Sequence, residues 1–439
     1  MRRTNLAYIV LLLGHALAAQ ISGPMPGHID QLEATIWMQC HHPCDAGLAI
    51  WPKEAPDSLR HLPILRSQAR TGHVLKFTVD GLQPGREYHY QVSVNGVTVP
   101  FDEQLSFRTQ PLWRHRGDPP DFTVALGSCT YINEPDYDRP GTPFGSNYGI
   151  FDAIADKTPD LMLWLGDNIY LRDPDWGSRS GYLHRHTHTR GAPELQRLLR
   201  GTKHYAIWDD HDFGPNDPDG SWVHAPVARE MFELFWANPT TGVPGAQHTV
   251  ATMFNHGDVD FFLLDNRTDR VDPAMRTMPA AMLGQAQVDW LIQALKYSRA
   301  PFKLVAVGSQ VLNSAAMFEN YATIAAERDA LLARIEAEGI LGVVFLTGDR
   351  HFTELSEVEL KDGRRLLDLT VSPLTSGTYA PHEKEENRNR VAGTLVARQH
   401  NFAILAFSGP RNARVMGISV YDPEGRLLWH RDIPQEKRP

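Results

Sequence analysis

The sequence predicts two units in series: a small β-sandwich, then a larger α/β domain whose strands are buried on both faces. Three observations predict this. Short alternating segments with Gly and Asn turns fill residues 29–110, as in "EYHYQVSVNG", the period-two pattern of half-buried strands. From Phe122 onward, continuous apolar runs such as "FTVALGS", "LMLWLGD" and "HYAIWDD" alternate with amphipathic stretches such as "NYGIFDAIADK" and "PVAREMFELFWA", the pattern of strands covered by helices. After His351 the chain returns to β, with turn signals at "KDG" and "PEG".

In chain order, residues 1–19 come first. "MRRTNLAYIVLLLGHALAA" has a basic start, a short apolar run and small residues at Ala16, Ala18 and Ala19, which is a secretory signal peptide. Its apolar run is too short to span a bilayer. The Arg2–Arg3 pair leaves Sec and twin-Arg export both open. The mature protein is expected to be secreted or periplasmic, with no stable membrane insertion. Residues 28–110 form the β-sandwich, and "GLQPGREYHYQVSVNG" resembles the tyrosine-bearing turn and strand of fibronectin type III domains. A polar, Pro-rich linker covers 111–121. The α/β domain covers 122–432. Its helices are expected over "APELQRLLRG", "PVAREMFELFWA", "GQAQVDWLIQALKYS" and "AERDALLARIEAEG", and a hairpin over "TVATMFNHGDVDFFLLDNR". "HRHTHTR", with His184, His186 and His188 at alternate positions, reads as a solvated loop.

The composition is that of an ordinary globular protein, 42% hydrophobic, and the formal charge is −9. A mildly acidic chain lacks the basic surface that nucleic-acid binding requires, so no nucleic-acid partner is expected. Cysteine occurs three times, an odd number for an exported chain. Cys40 and Cys44 in "CHHPC" point to a local disulfide, with a zinc site sharing His41 and His42 as the alternative. Cys129 in "LGSCTY" is then left over, either as a small buried residue or as a ligand.

The apolar runs end in similar residues: Ser128–Cys129, Asp167 with Tyr170 in "LGDNIY", Asp210–His211 in "WDDHDFGPND", Gln310 in "VGSQ", and Asp349 with His351 in "TGDRH". In α/β sheets ligands bind beyond the carboxyl ends of the strands, so these ends should converge. Taken singly, each is a turn or a helix cap. Together they gather carboxylate, imidazole, phenol and thiol with almost no cation. Such a gathering repels itself unless metal ions sit within it.

The set "GSC", "GDNIY", "WDDHDFGPND", "LLDNRTDR" and "GDRH", in this order, resembles the alkaline phosphatase D (PhoD-like) family of calcineurin-like metallophosphoesterases. The resemblance covers about residues 120–430. It implies a four-layer α/β/β/α sandwich. It also implies that Asp167 bridges two ions, that Tyr170 and Cys129 hold iron, and that Asp210 and His211 stand where the superfamily places Asn and His. Asp349 and His351 stand in the last motif, with Asp349 replacing a His; Gln310 replaces the His of a separate motif. Asn216 is a further candidate calcium ligand, Asp209 a support for the ligands, and Asp265 and Arg267 structural support near the site. Arg350 is expected to point at phosphate. The exchange of nitrogen for oxygen ligands favours Fe3+ with Ca2+, with Zn2+, Mn2+ or Co2+ as alternatives.

The implied function is hydrolysis of phosphate monoesters by a metal-activated hydroxide, with release of inorganic phosphate. His211 would protonate the leaving group, and Asp210 and Arg350 would complete the catalytic set. The substrate would be a small-molecule phosphate ester and the protein a monomer. Two rival readings are a phosphodiesterase for teichoic acid, phospholipid headgroup or nucleotide diesters, and a non-catalytic cell-surface binding protein.

Overall fold

A computed structural model describes residues 21–145, 147–380 and 385–436. The expected signal peptide, residues 1–19, lies outside them. The N-terminal unit is an all-β sandwich of nine strands, β1 (Ile21–Ile29), β2 (Ala34–Cys40), β3 (Asp45–Pro52), β4 (Arg60–His61), β5 (Leu65–Arg66), β6 (Val74–Val79), β7 (Glu87–Val94), β8 (Val97–Thr98) and β9 (Ser106–Arg108). One sheet has the order β1-β2-β6; the other runs β4-β3-β7-β8. Alternation in β7 turns Tyr88, Tyr90, Val92 and Val94 inward, against Ile36, Met38, Leu48 and Phe77. The Gln83 N–H donates to Tyr88 Oη at 2.9 Å, which ties the strand back to the turn before it, as a tyrosine corner does. Cys40 and Cys44 form a disulfide, and Cys129 is free and buried.

The sandwich starts earlier than residue 28, because "ISGPMPGHI" is strand β1. Pro24 and Pro26 disguise it in the sequence. They are tolerated because β1 is an edge strand whose pairing with β2 is broken by register shifts. Gly27 lies against the second domain: a Cβ there would meet that of Ala237 at 2.3 Å. The two units share a core, since Met25, Trp37 and Val74 pack in one apolar cluster with Tyr182, Phe232 and Phe235. Trp37 Nε1 donates to Leu234 O at 3.0 Å. Lys76 Nζ donates to Trp236 O at 2.6 Å, and burial lowers its pKa to about 8.

The second unit holds two six-stranded sheets. In the first, β10 (Phe122–Gly127), β11 (Leu161–Leu165) and β12 (Lys203–Ile207) are parallel. They are extended antiparallel by β19 (Phe402–Ser408), β20 (Val415–Tyr421) and β21 (Leu427–Pro434). The second runs β13 (Thr252–His256), β14 (Val259–Leu263), β15 (Lys303–Ala306), β16 (Val343–Thr347), β18 (Arg365–Thr370) and β17 (Glu354–Glu359). Alternation within each strand feeds two layers. In β11, Leu161, Leu163 and Leu165 face the other sheet, while Met162 and Trp164 face outward. There they meet α1 (Ile150–Asp156), α2 (Arg179–Arg190), α3 (Gln196–Gly201) and α5 (Ala225–Phe235). A short helix, α4, is Asp210–Phe213. On the far side α6 (Gln285–Tyr297) and α7 (Ala325–Ala337) cover the second sheet through Val288, Leu291, Leu331 and Ile335. The layers are therefore α/β/β/α.

"HRHTHTR" is not a loop: it lies within α2. The helix buries Tyr182, Arg185, His186 and Thr189, so its inward face is mostly polar and carries no apolar period to read. Ser178 caps it by accepting the Gly181 N–H at 3.1 Å. Among the described residues no helix is long and apolar enough to cross a membrane.

Candidate metal centre

The carboxyl ends of β10, β11 and β12 from one sheet, and of β16 from the other, meet at one end of the sandwich. Cys129, Asp167, Asp349 and His351, each just past a strand, have φ of 60°, 49°, 64° and 56°. A non-glycine residue in this region costs about 1–2 kcal/mol, and such outliers gather where surrounding structure holds a functional geometry. Asp210 and His211 open the helix α4 directly after β12.

Asp167 is central. Its Oδ2 lies 3.4 Å from Cys129 Sγ and 3.2 Å from Tyr170 Oη, and its Oδ1 accepts the His211 N–H at 3.4 Å. Tyr170 Oη is 3.1 Å from His351 Nε2. Cys129, Asp167 and His351 thus offer one set of ligand atoms within 4.8 Å of one another, Asp167, Asp210 and His211 a second, and Asp209, Asp210 and Asp349 a third. The first two sets share Asp167: one adds the Cys129 thiol and His351 imidazole, with the Tyr170 phenol beside them, and the other the Asp210 carboxylate and His211 imidazole.

Electrostatics show what these groups lack. Burial, then the neighbouring Asp210, pushes the Asp167 carboxyl well above the usual range, and burial with the nearby Asp209 does the same to Asp349. Burial raises the Cys129 thiol to about 12 and the Tyr170 phenol well above its ordinary value. Buried Asp209 Oδ2 and Asp210 Oδ1 find no hydrogen-bond partner. Unpartnered buried carboxylate oxygens are costly, and metal cations are what this donor set fits. Asp210 behaves differently: despite burial, His211 and Arg267 hold it below the carboxylate range.

Support comes from behind. Asp209 Oδ1 accepts from Asn266 Nδ2 and Arg267 Nε, both at 2.8 Å. Arg267 also pairs with Glu319, and Asp265 takes Trp208 Nε1 at 2.9 Å. These contacts hold Asp209 from behind the centre. The Asp212 carboxylate, raised to about 7 by burial, accepts the backbone N–H of Asn168 and of Asp209 and so ties the two ligand loops together.

Arg350, Gln310 and Asn216 stand apart from the ligand sets. Arg350 Nε lies 3.8 Å from Asp349 Oδ2, but the rest of the guanidinium is engaged behind the centre. Its guanidinium donates to Gln310 Oε1 at 3.1 Å, to Glu385 Oε1 at 2.8 Å and to Asn320 Oδ1, and it packs beside Phe318 and Phe352. Asp349 and His351 lie past the strand end in the left-handed region, with φ of 64° and 56°, and this turn brings both into the ligand sets while the Arg350 side chain joins the Gln310–Glu385 network. Gln310 is no ligand either: it is buried, donating to Thr370 Oγ1 at 2.7 Å and Glu354 Oε1 at 3.0 Å. Asn216 is exposed; its neighbour Asp217 instead brings its carboxylate to Asp210 and Glu319. The histidines of α2 lie outside the ligand sets. His184 pairs with Glu134 at 3.0 Å, and His186 stacks on Phe235, its pKa lowered to about 3 by burial.

Sequence reasoning misses Ser372, Ser376 and Glu319. Ser372 Oγ donates to Cys129 Sγ at 3.1 Å. Ser376 Oγ lies 3.1 Å from His351 Nε2 and 3.3 Å from Tyr170 Oη. These residues sit in loops with no strand-end pattern; the one signal is that "VSPLTSG" follows a strand of the same sheet as "GDRH".

Two facing mixed sheets with a cluster of possible metal ligands at their strand ends are the arrangement of a metal-dependent phosphoesterase fold. The sequence model of the PhoD-like phosphatase family matches residues 124–415, and the chain belongs to that family, within the calcineurin-like metallophosphoesterases. Residues 18–112 match a domain of unknown function, DUF7800. A solved structure of PhoD superposes with a TM-score of 0.74 at 16% identity, covering 96% of this chain and 92% of that one. Purple acid phosphatase PPD1 from yellow lupin (Lupinus luteus) seeds superposes at 0.66 with 13% identity, covering 94% and 74%. At these identities the likeness is one of fold. No curated protein matches the chain.

Proposed function

We propose that the protein is an exported phosphatase that hydrolyses small-molecule phosphate monoesters, using iron and calcium held on the two sides of Asp167. The observation that carries this reading is the bridging position of Asp167 between a thiol–phenol–imidazole set and a carboxylate–imidazole set. Cys129, Tyr170 and His351 suit Fe3+, and Asp210 with Asp349 suits Ca2+. When bound, such ions neutralise phosphate oxygens and supply a hydroxide nucleophile.

The chain's own residues do the rest. His211 is partly exposed at the mouth, with its ring 4.3 Å from that of Tyr170 and its Nε2 3.7 Å from Asp210 Oδ2. From that place it can pass a proton to the departing alkoxide. Burial of Asp167 and Asp210 keeps water from competing for the ligand oxygens. Export is supported by the pattern of residues 1–19 and by the Cys40–Cys44 disulfide, which suits an oxidising compartment.

The test is turnover of p-nitrophenyl phosphate and bis(p-nitrophenyl) phosphate, with metal analysis, before and after strong chelation. Chelation is expected to abolish activity, iron with calcium to restore it better than magnesium, and the monoester to be preferred. Full activity of the stripped protein would overturn the reading. Preference for the diester would move the substrate class to phosphodiesters.

A further inference from the structure

Two large aromatic side chains stand exposed beside the metal centre, one on each flank. Phe144 is 47% and Phe318 63% exposed. Phe144 is one ring removed from a ligand: it packs on Tyr131 at 5.7 Å, and Tyr131 packs on Tyr170 at 5.1 Å. Phe318 directly precedes Glu319 of the carboxylate side. Its ring lies 4.9 Å from Arg350 Cζ, and Arg350 Nε lies 3.8 Å from Asp349 Oδ2.

One short strap joins the two rings. Ser376 contacts Tyr170 and His351. Gly377 follows and lies against Phe144, so that a Cβ there would sit 3.5 Å from the ring. Tyr379 donates its N–H to His351 O at 2.9 Å and meets Phe318 edge-on at 6.1 Å. Phe318 itself has φ of 50°. That conformation is an outlier for a bulky residue, and here it holds an apolar ring out in solvent beside a reaction site.

We infer that Phe144 and Phe318 form a stacking rim for the alcohol part of the substrate, selecting phosphate esters whose alcohol carries a flat aromatic or heteroaromatic ring, as nucleoside phosphates do. The inference rests on the phosphatase reading above. Stacking on an aromatic face accepts any base, because every base has a π-face, and offset or edge-on geometry suits rings fixed at one edge. The rim adds affinity for the alcohol without touching the phosphate, so it acts on selection among esters and leaves the chemistry unchanged.

The test compares adenosine 5′-phosphate with ribose 5-phosphate. Both lose the same kind of primary alkoxide, so the ring is the variable. Binding is measured by equilibrium dialysis of the uncleavable phosphonate analogue of each ester to the metal-loaded protein, and kcat/KM of the esters is measured in parallel. The wild type should favour the adenosine ester about tenfold, mostly through KM. Phe144→Leu and Phe318→Leu should each lower that ratio, and the double variant should bring it near one, with ribose 5-phosphate turnover and metal content unchanged. Phe318→Tyr should keep the preference. Equal binding of the two analogues by the wild type, or a preference that survives in the double variant, overturns the rim. Failure of the phosphatase reading shows separately, as no turnover of either p-nitrophenyl ester, and the dialysis result still decides the rim.

Discussion

The roles of single residues turn on which atoms they present to the centre. His211 gives the sharpest case. p-Nitrophenolate leaves unaided, whereas an alkyl alkoxide needs a proton in the transition state. His211→Ala is therefore expected to slow glycerol phosphate at least about tenfold more than p-nitrophenyl phosphate, within the range of roughly 10²–10⁴ for general acid help. Metal content should stay near normal, because Asp167, Asp210, Asp349 and His351 remain. Equal slowing of both esters would make His211 a phosphate-binding group, and metal loss would make it a ligand. Tyr170 gives a spectroscopic case. Its hydroxyl lies between Asp167 and His351, and burial alone would keep it a neutral phenol. Only a strongly charged cation makes it a phenolate here, and a phenolate on ferric iron absorbs visible light. Tyr170→Phe keeps the ring against His211 and should bleach the iron-loaded protein; a colourless, iron-free and fully active wild type would refute the assignment.

Strands and turns set the spacing on which those residues depend. Asp209 leaves β12 beneath a glycine: a Cβ on Gly308, just past β15, would come within 2.4 Å of the Asp209 carboxylate and 2.6 Å of Asn266 Nδ2. Gly308→Ala should push that carboxylate off Arg267 and out of the ligand set. Overpacking a close-fitted interior costs about 1–3 kcal/mol, so a lower melting midpoint with weakened metal retention is expected; unchanged metal content and midpoint would show that the turn has slack. This scale also separates what the sequence discloses from what it hides. Apolar runs ending in "GSC", "GDNIY", "WDDHD" and "GDRH" disclose the strand order of the site, because a strand end has a local signature. Glu319, Ser372 and Ser376 are invisible, because loops bring them in and only the packing of two sheets fixes where loops land. Arg350 and Gln310 mislead for a related reason: a motif gives the position in the chain, while the turn past the strand end decides whether a residue meets the centre or the network around Glu354 and Glu385. The prolines of β1 and the polar inward face of α2 hide regular structure in the same way, by replacing the expected pattern with one that only tertiary packing explains.

For the molecule as a whole, the metal centre couples stability to pH. Without cations, Asp167 and Asp349 are held well above the carboxylate range, chiefly by burial, and burial raises Asp212 to about 7. In the metal-free fold these groups bind protons that the unfolded chain, with carboxyls near 4, has released. Stability then falls as pH rises through the raised values. The buried histidines act oppositely and elsewhere. His351 is lowered to about 4 and His186 and His204 to about 3, first by burial, so each costs stability only below the unfolded histidine value near 6.5. Lys76 and Lys203, lowered to about 8 by burial, add stability mainly above pH 8. Between pH 6.5 and 8 the carboxyls therefore dominate. Chelated protein should melt a few degrees lower at pH 8 than at pH 6.5, a difference on the order of 1–2 kcal/mol. Cations replace the missing protons, so the loaded protein should show a flatter profile over the same window and its largest gain over the stripped form at pH 8. Thermal melts of the two forms across this range check the argument. A stripped protein that grows more stable from pH 6.5 to 8 would mean that the carboxylates around Asp167 are already compensated by Arg267 and His211, and that the fold carries its negative cluster without metal.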